Sequence, residues 1–115
     1  MGAPPVAFDR STLSSALYTS DASLYRVVPE AVCQPRDPRE LGDAVHAALA
    51  VGLPITMRGA GTSCAGNAVG SGLIIDTRGL HDIESLDPTT GRAVVQPGGV
   101  QAVLSTAGAT HGWRF

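Results

Sequence analysis

Aromatic side chains are scarce in this sequence, at 4% of 115 residues. A core without them has to be built from Ala, Val, Leu and Ile, and the 43% hydrophobic content can supply it. A chain of this length is one small domain or a piece of one. Cys33 and Cys64 are the only cysteines. They lie far outside C-x-x-C spacing, which argues against zinc or iron–sulfur ligation within the chain. Free thiols in a reducing cytosol are the expectation. The eight basic residues form no run, and the net charge is −2. That leaves no footprint for nucleic acid and no polybasic membrane patch. No apolar stretch approaches the length of a membrane span. Met1-Gly2-Ala3-Pro4-Pro5 lacks the charged start and apolar run of a signal peptide. Val6 stands where a myristoylation signal wants Ser or Thr. The expected location is cytoplasmic, with a peripheral place at the inner face of a membrane left open.

Glycine, by contrast, is plentiful: 14 residues, beside eight prolines, with no period. Collagen is excluded, and a loop-rich domain of helices and strands fits. Residues 1–10 read as a loose arm. Ser11 to Tyr18 has weak helical spacing, with Leu13, Ala16 and Leu17 able to share a face. Thr19 to Ser23 breaks it with turn chemistry. Residues 31–35 read as a short strand halted by Pro35. Asp37-Pro38-Arg39-Glu40 then gives an N-cap, proline at the first helical position and a Glu three residues after the cap. Leu41, Val45, Ala48 and Leu49 fall on one helical face, and Gly52 with Pro54 ends the helix. His46 lies off that stripe and reads as a solvated residue. A strand at 54–58 completes a strand–helix–strand unit, which is normally parallel.

Gly72 to Thr77 is a continuous apolar run, as in a strand buried on both faces. Residues 83–87 and 92–96 read as a hairpin around Pro88-Thr89-Thr90-Gly91. A second helix is predicted from Val100, Val103, Leu104 and Ala107, ending at Gly108. The chain then runs out at Trp113-Arg114-Phe115 with no folding signal, and His111 reads as a surface histidine in a turn.

The stretch on which the functional reading turns is Arg58-Gly59-Ala60-Gly61-Thr62-Ser63, after the strand at 54–58. Glycines let the chain turn tightly and bring backbone N–H groups near a ligand. Successive N–H groups in such a turn make an anion-binding nest. Thr62 and Ser63 add hydroxyls and Arg58 a fixed positive charge, so a phosphate or diphosphate is the natural guest. Thr62-Ser63 stands where a P-loop needs Lys-Ser/Thr. The dinucleotide fingerprint would place its third glycine at Cys64 and needs a helix next, yet Gly66 to Gly72 is too glycine-rich for one. The loop is thus a phosphate cradle of a third kind, or only a turn.

With these motifs in place, the chain resembles the FAD-linked oxidases of the vanillyl-alcohol oxidase / p-cresol methylhydroxylase type. Arg58-Gly59-Ala60-Gly61-Thr62-Ser63-Cys64-Ala65-Gly66-Asn67-Ala68-Val69-Gly70, followed by Asp76-Thr77, is similar to their R-G-x-G-T-S-x-A-G-x-A-V-G…D-T segment. Tyr18 to Tyr25 resembles the Y-S-x-D-A-S-x-Y lead-in of the D-lactate, glycolate and D-2-hydroxyglutarate dehydrogenase branch. That branch includes fusions with an iron–sulfur domain. Val95 to Val100 resembles the V-x-P-G segment before the next helix.

The resemblance spans residues 18 to 115 and implies an α+β fold, the PCMH-type FAD-binding domain. It would be present as a first subdomain with short parallel strands plus the start of a second. The domain division is then an arm with a weak helix at 1–17 and the partial FAD-binding domain at 18–115. It also implies that Arg58, Gly59, Ala60, Gly61, Thr62 and Ser63 wrap the FAD diphosphate. Gly66, Asn67 and Ala68 would continue along the cofactor, and Pro97, Gly98 and Gly99 would approach its adenosine side. Arg58 either neutralises phosphate or holds the loop through backbone carbonyls. Covalent members carry His in an R-S-G-G-H pattern, aligned here with Thr62, so non-covalent FAD is expected.

The parent protein is expected to oxidise a small D-2-hydroxy acid by hydride transfer to flavin N5. The alternative is a catalytically inactive nucleotide-binding fragment with little FAD affinity of its own. Relatives continue past Phe115, so catalytic residues, the rest of the FAD domain and any iron–sulfur cluster are expected outside the chain, and no catalytic or metal-binding residue is assigned within it. The electron acceptor is not specified. Cys64 is expected to pack as a small apolar residue.

Overall fold

The structure is a computed structural model that describes residues 6–115. Its elements are α1 (Thr12–Leu17), β1 (Ala31–Cys33), α2 (Pro38–Ala50), β2 (Ile55–Arg58), β3 (Leu73–Asp76), β4 (Ile83–Leu86), β5 (Ala93–Val95) and α3 (Gln101–Ala109). The three strands β1, β3 and β2 form a parallel sheet in that order. The β1–α2–β2 unit is parallel as its sequence implies, but its strands are not neighbours. β3 inserts between them, pairing Leu73 with both Ala31 and Ile55. The reason lies in β3 itself. Leu73, Ile74 and Ile75 have no exposed surface, and only a central strand covered on both faces buries consecutive apolar residues. Each such side chain contributes about 1.5–3 kcal/mol.

One face of the sheet packs Ala31, Cys33, Leu73 and Ile75 against Ala44, Ala48 and Leu53. Tyr18, Val32 and Ile74 share the other. The α2 cap forms at Asp37, whose carboxylate accepts from Glu40 N at 2.7 Å. Glu40 reaches back one residue beyond the cap, accepting from Arg36 N at 2.8 Å and pairing with its guanidinium. The buried stripe of α2 is Ala44 and Ala48, flanked by Leu41 and Val45. Leu49, expected on that face, is 65% exposed. Alanines let α2 sit close to the sheet, and the larger residue at the end of the stripe overhangs it.

Three other expectations are corrected. Residues 6–10 are not loose: Asp9 bridges Val32, and Val6 and Phe8 pack on the core. Residues 1–5 of the arm lie outside the described residues. Helix α1 does form where its spacing implies, with Ser11 as its cap, and buries no residue. Gly108 does not end α3. It lies inside the helix, where a β-carbon would meet the ring of Phe115 at 2.6 Å, and the chain turns at Gly112 instead. Nor does the C-terminal stretch lack anchors. Trp113 Nε1 donates to Pro88 O at 2.9 Å and its ring covers Gly91 in the β4–β5 turn.

Candidate functional site

The glycine loop leaves β2 at its C-terminal end, beside the end of β3. That edge of a parallel sheet is where ligands of open α/β folds bind. The arrangement of its amides is unusual. Among the described residues, the N–H groups of Gly59, Ala60, Gly61, Thr62, Ser63 and Cys64 have no acceptor. The Thr62 hydroxyl also makes no hydrogen bond among them. Gly61 takes φ +71, which an L side chain adopts only under strain. A row of unspent N–H groups on a tight exposed turn is what a diphosphate requires. The residues therefore fit the diphosphate of a cofactor such as FAD.

Arg58 does structural work beneath the loop. Its Nη1 donates to Ser20 O at 2.8 Å and Ala68 O at 3.2 Å, and the guanidinium lies 5.1 Å from the centre of the Tyr18 ring. Of the two roles open to it in the sequence, this geometry favours holding the loop. Ser63 Oγ accepts from Ala65 N and Asn67 N, closing the loop's second half. Ala68 is buried, and its N–H goes to Asp21 Oδ2 at 3.3 Å. Gly66, at φ +80, is covered by the Tyr25 ring. Cys64 is exposed, its Sγ 3.9 Å from Thr62 O. The packing role expected of its thiol falls instead to Cys33, which is buried and whose pKa burial pushes up.

The second glycine segment differs. Gly98 N donates to Leu80 O at 2.7 Å and Gly99 N to Gln96 O at 3.1 Å. A β-carbon on Gly98 would run into Thr77 O and lie 2.8 Å from Leu80 O. These glycines permit close approach of two stretches of backbone, and their donors are spent. Thr77 joins the two glycine sites: its N–H and hydroxyl both donate to Arg58 O, at 2.8 and 3.1 Å, while its own carbonyl faces Gly98.

A buried polar cluster beside the loop was not anticipated. Tyr18 Oη donates to Asp76 Oδ2 at 2.5 Å, and Gln34 Nε2 donates to Tyr18 Oη at 2.6 Å. Arg78 pairs with the same carboxylate at 2.6 Å. Burial pushes the Asp76 carboxyl up, but hydrogen bonds from Arg78 and Tyr18 outweigh it and hold the group below the usual carboxylate range. Burial and the nearby carboxylate raise the Tyr18 phenol. With Ser14, Arg58 and Ala60, Tyr18, Gln34 and Arg78 line a hollow beside the start of the loop. The available signal was an acid closing a run of buried apolar residues. His46 and His111 are exposed, the latter in a turn.

Residues 29–115 match the FAD binding domain family. The chain belongs to it. This FAD binding domain is 31% identical over 97 residues to the glycolate oxidase subunit GlcD of Bacillus subtilis, covering 82% of the chain and 21% of that protein. It is 32% identical over 113 residues to the D-2-hydroxyglutarate dehydrogenase of Escherichia coli, covering 93% and 10%. Among solved structures, 6-hydroxy-D-nicotine oxidase from Arthrobacter nicotinovorans superposes with a TM-score of 0.74 at 21% identity, covering 93% of this chain and 24% of that one. The FAD binding domain thus has the PCMH-type α+β fold and is part of that domain only. It spans between 10% and 21% of the length of these curated relatives. Among the described residues, no helix is long and apolar enough to cross a membrane.

Proposed function

We propose that this FAD binding domain holds the diphosphate of non-covalently bound FAD on the amides of Gly59 to Cys64, within an oxidoreductase acting on a D-2-hydroxy acid. The observation that carries the reading is the row of N–H groups without acceptors. Thr62 and Ser63 add hydroxyls at its far end, and Arg58 secures its start. Gly66 extends the cradle, and Asn67, whose N–H is held by Ser63 Oγ, offers it a side-chain amide. Ala68 supports it from below, since its N–H is already engaged. Pro97, Gly98 and Gly99 bound the site as packed backbone rather than as donors. When bound, the flavin supplies an N5 that accepts hydride from the substrate carbon. The substrate class is supported by the names of the relatives, a glycolate oxidase subunit and a D-2-hydroxyglutarate dehydrogenase. No residue described here is given a catalytic part.

A second reading concerns the chain by itself. Val100, at the N-cap of α3, and Val103 within it are 63% and 58% exposed, and the donors of the second glycine segment are spent. A cleft walled on one side offers fewer contacts to offset the cost of ordering a ligand. The isolated chain then binds FAD weakly and turns over no substrate.

Titration of the 115-residue chain with FAD, followed by 1H–15N spectra, tests both readings. Saturable shifts confined to the amides of 59–64 and their neighbours are expected. Shifts spread evenly over the surface, or none at millimolar FAD, would overturn the cradle. Bleaching of the flavin by a panel of D-2-hydroxy acids, in a flavoprotein that carries this domain within a complete FAD-binding domain, tests the substrate class.

A further inference from the structure

We infer that residues 18–25 form a positioning strap that sets the shape of the glycine loop, and that Asp21 is the residue through which it does so; its effect on cofactor binding rests on the diphosphate reading above. The loop has little to hold it from within. Within it, among the described residues, are the two amides on Ser63 Oγ, the long contact from Cys64 Sγ to Thr62 O, and the Arg58 guanidinium, which lies under Gly61 and donates to Ala68 O at 3.2 Å. Water can satisfy its exposed N–H groups, so they do not by themselves hold the chain in one shape. Something outside must impose it.

The strap meets the loop at its start, its bend and its end. At the start, Ser20 O accepts from Arg58 Nη1 at 2.8 Å. At the bend, Ala22 N donates to Gly61 O at 3.0 Å. At the end, Asp21 Oδ2 accepts from Ala68 N at 3.3 Å and Tyr25 covers Gly66. The strap is itself braced. Asp21 Oδ1 accepts from Ser23 N at 2.8 Å, Ser23 Oγ accepts from Tyr25 N at 3.1 Å, and Val27 N donates to Thr19 O at 2.9 Å. Asp21 is the hinge of this arrangement, since its two oxygens serve the strap and the loop separately.

A carboxylate has the wrong sign to meet a diphosphate. If Asp21 acted on the cofactor only through its charge, neutralising it would tighten binding. If it acts by position, neutralising it loosens binding, because Asp21→Asn leaves one acceptor oxygen for two amides. The two accounts predict opposite signs from one variant.

The first measurement needs no ligand. Backbone 15N relaxation is recorded on the wild-type chain, Asp21→Asn and Tyr25→Ala, with Asp87→Ala in the β4–β5 turn as control. In the strap account, amides 59–68 lose order in the first two variants and stay ordered in the control, while β1 and β3 amides do not change. Loop amides as ordered in Asp21→Asn as in wild type would overturn the inference, and Tyr25→Ala decides the same question should Asp21→Asn fail to fold. The second measurement is FAD affinity by flavin fluorescence. A loss of about tenfold in Asp21→Asn is expected, the scale of one lost hydrogen bond to a charged group. A gain with the loop still ordered would overturn the strap and leave Asp21 a charge effect. A wild-type chain that takes no FAD even at millimolar concentration, yet loosens its loop in Asp21→Asn, upholds the strap and removes the diphosphate reading.

Discussion

The guanidinium of Arg58 lies directly against the α-carbon of Gly61, so closely that a β-carbon there would sit 2.8 Å from Cζ. The strand's last side chain folds back under the loop that follows it. Its charge is turned toward the carbonyls of Ser20 and Ala68. The loop's bend needs both partners: a glycine that tolerates φ +71 and a planar group that fills the space beneath.

Gly61→Ala should therefore cost more than an ordinary loop substitution. Left-handed backbone costs an L residue about 1–2 kcal/mol, before any displacement of Arg58 is counted. Arg58→Ala strands the carbonyls of Ser20 and Ala68, at about 1–3 kcal/mol if both lose their partner. Arg58→Lys should recover little, since a single ammonium does not fill the flat space under Gly61. Thermal unfolding of the ligand-free chain checks this. An Arg58→Ala chain as stable as wild type, but impaired in FAD binding, would return Arg58 to the phosphate.

The two glycines after Pro97 should separate cleanly. On Gly98 a β-carbon would collide with backbone carbonyls of Thr77 and Leu80, which have no side-chain freedom to yield. Gly98→Ala is expected to destabilise by about 1–3 kcal/mol, the usual range for forced overpacking. On Gly99 the nearest atom is Gln96 O at 3.2 Å, a tight but accommodable contact. Gly99→Ala should cost a fraction of that. Denaturant midpoints for the two variants measure the difference, and equal midpoints would contradict the packing role given to Gly98.

Much of the fold was legible because local signals agreed with the global arrangement. Asp37-Pro38 starts α2, and the apolar run at 73–75 marks a strand covered on both faces. The order of strands was not legible, because nothing local in β1 or β2 says that β3 will insert between them. At the site, the free amides of the glycine loop were anticipated from Gly59, Gly61 and the hydroxyls that follow. The parts of Asp21 and Tyr18 were not. Each acts across a long gap in sequence, on Ala68 and Asp76, and no periodicity encodes such a pair. Gly98 reads like Gly61 in sequence. Whether a glycine's donors are free or spent depends on which backbone lies opposite.

Asp76 gives the chain an acid limit with a definite sign. Its folded pKa lies below the usual carboxylate range, because hydrogen bonds from Arg78 and Tyr18 outweigh burial. A depressed carboxylate contributes stability that is complete above the unfolded pKa and fades as pH falls through the folded one. Melting temperature should thus be flat near neutrality and drop as pH descends below about 4, a region where unfolded carboxylates begin to take up protons. Asp76→Asn should lower stability at pH 7 and flatten that acid limb. Arg78 is 59% exposed, so water takes over its solvation once the partner is gone, and a loss of about 1–3 kcal/mol is expected. An unchanged acid limb in the variant would assign it to other carboxylates, of which Asp9 and Asp87 are also held below the usual range by hydrogen bonds.

The two thiols offer a direct probe of the loop. Cys33 is buried in the sheet and Cys64 is exposed between Thr62 and Gly66. A thiol reagent should modify one equivalent rapidly in the native chain and the second only on unfolding, because reaction requires access as well as thiolate. Cys64→Ser should abolish the fast phase and leave the slow one. If the amides of 59–64 grip a diphosphate, saturating FAD should slow the fast phase, while riboflavin, which has no phosphate, should not. Equal protection by both compounds would place the flavin ring, not the diphosphate, over this stretch. Absence of protection by FAD at a concentration shown to saturate the chain would remove the loop from the binding site.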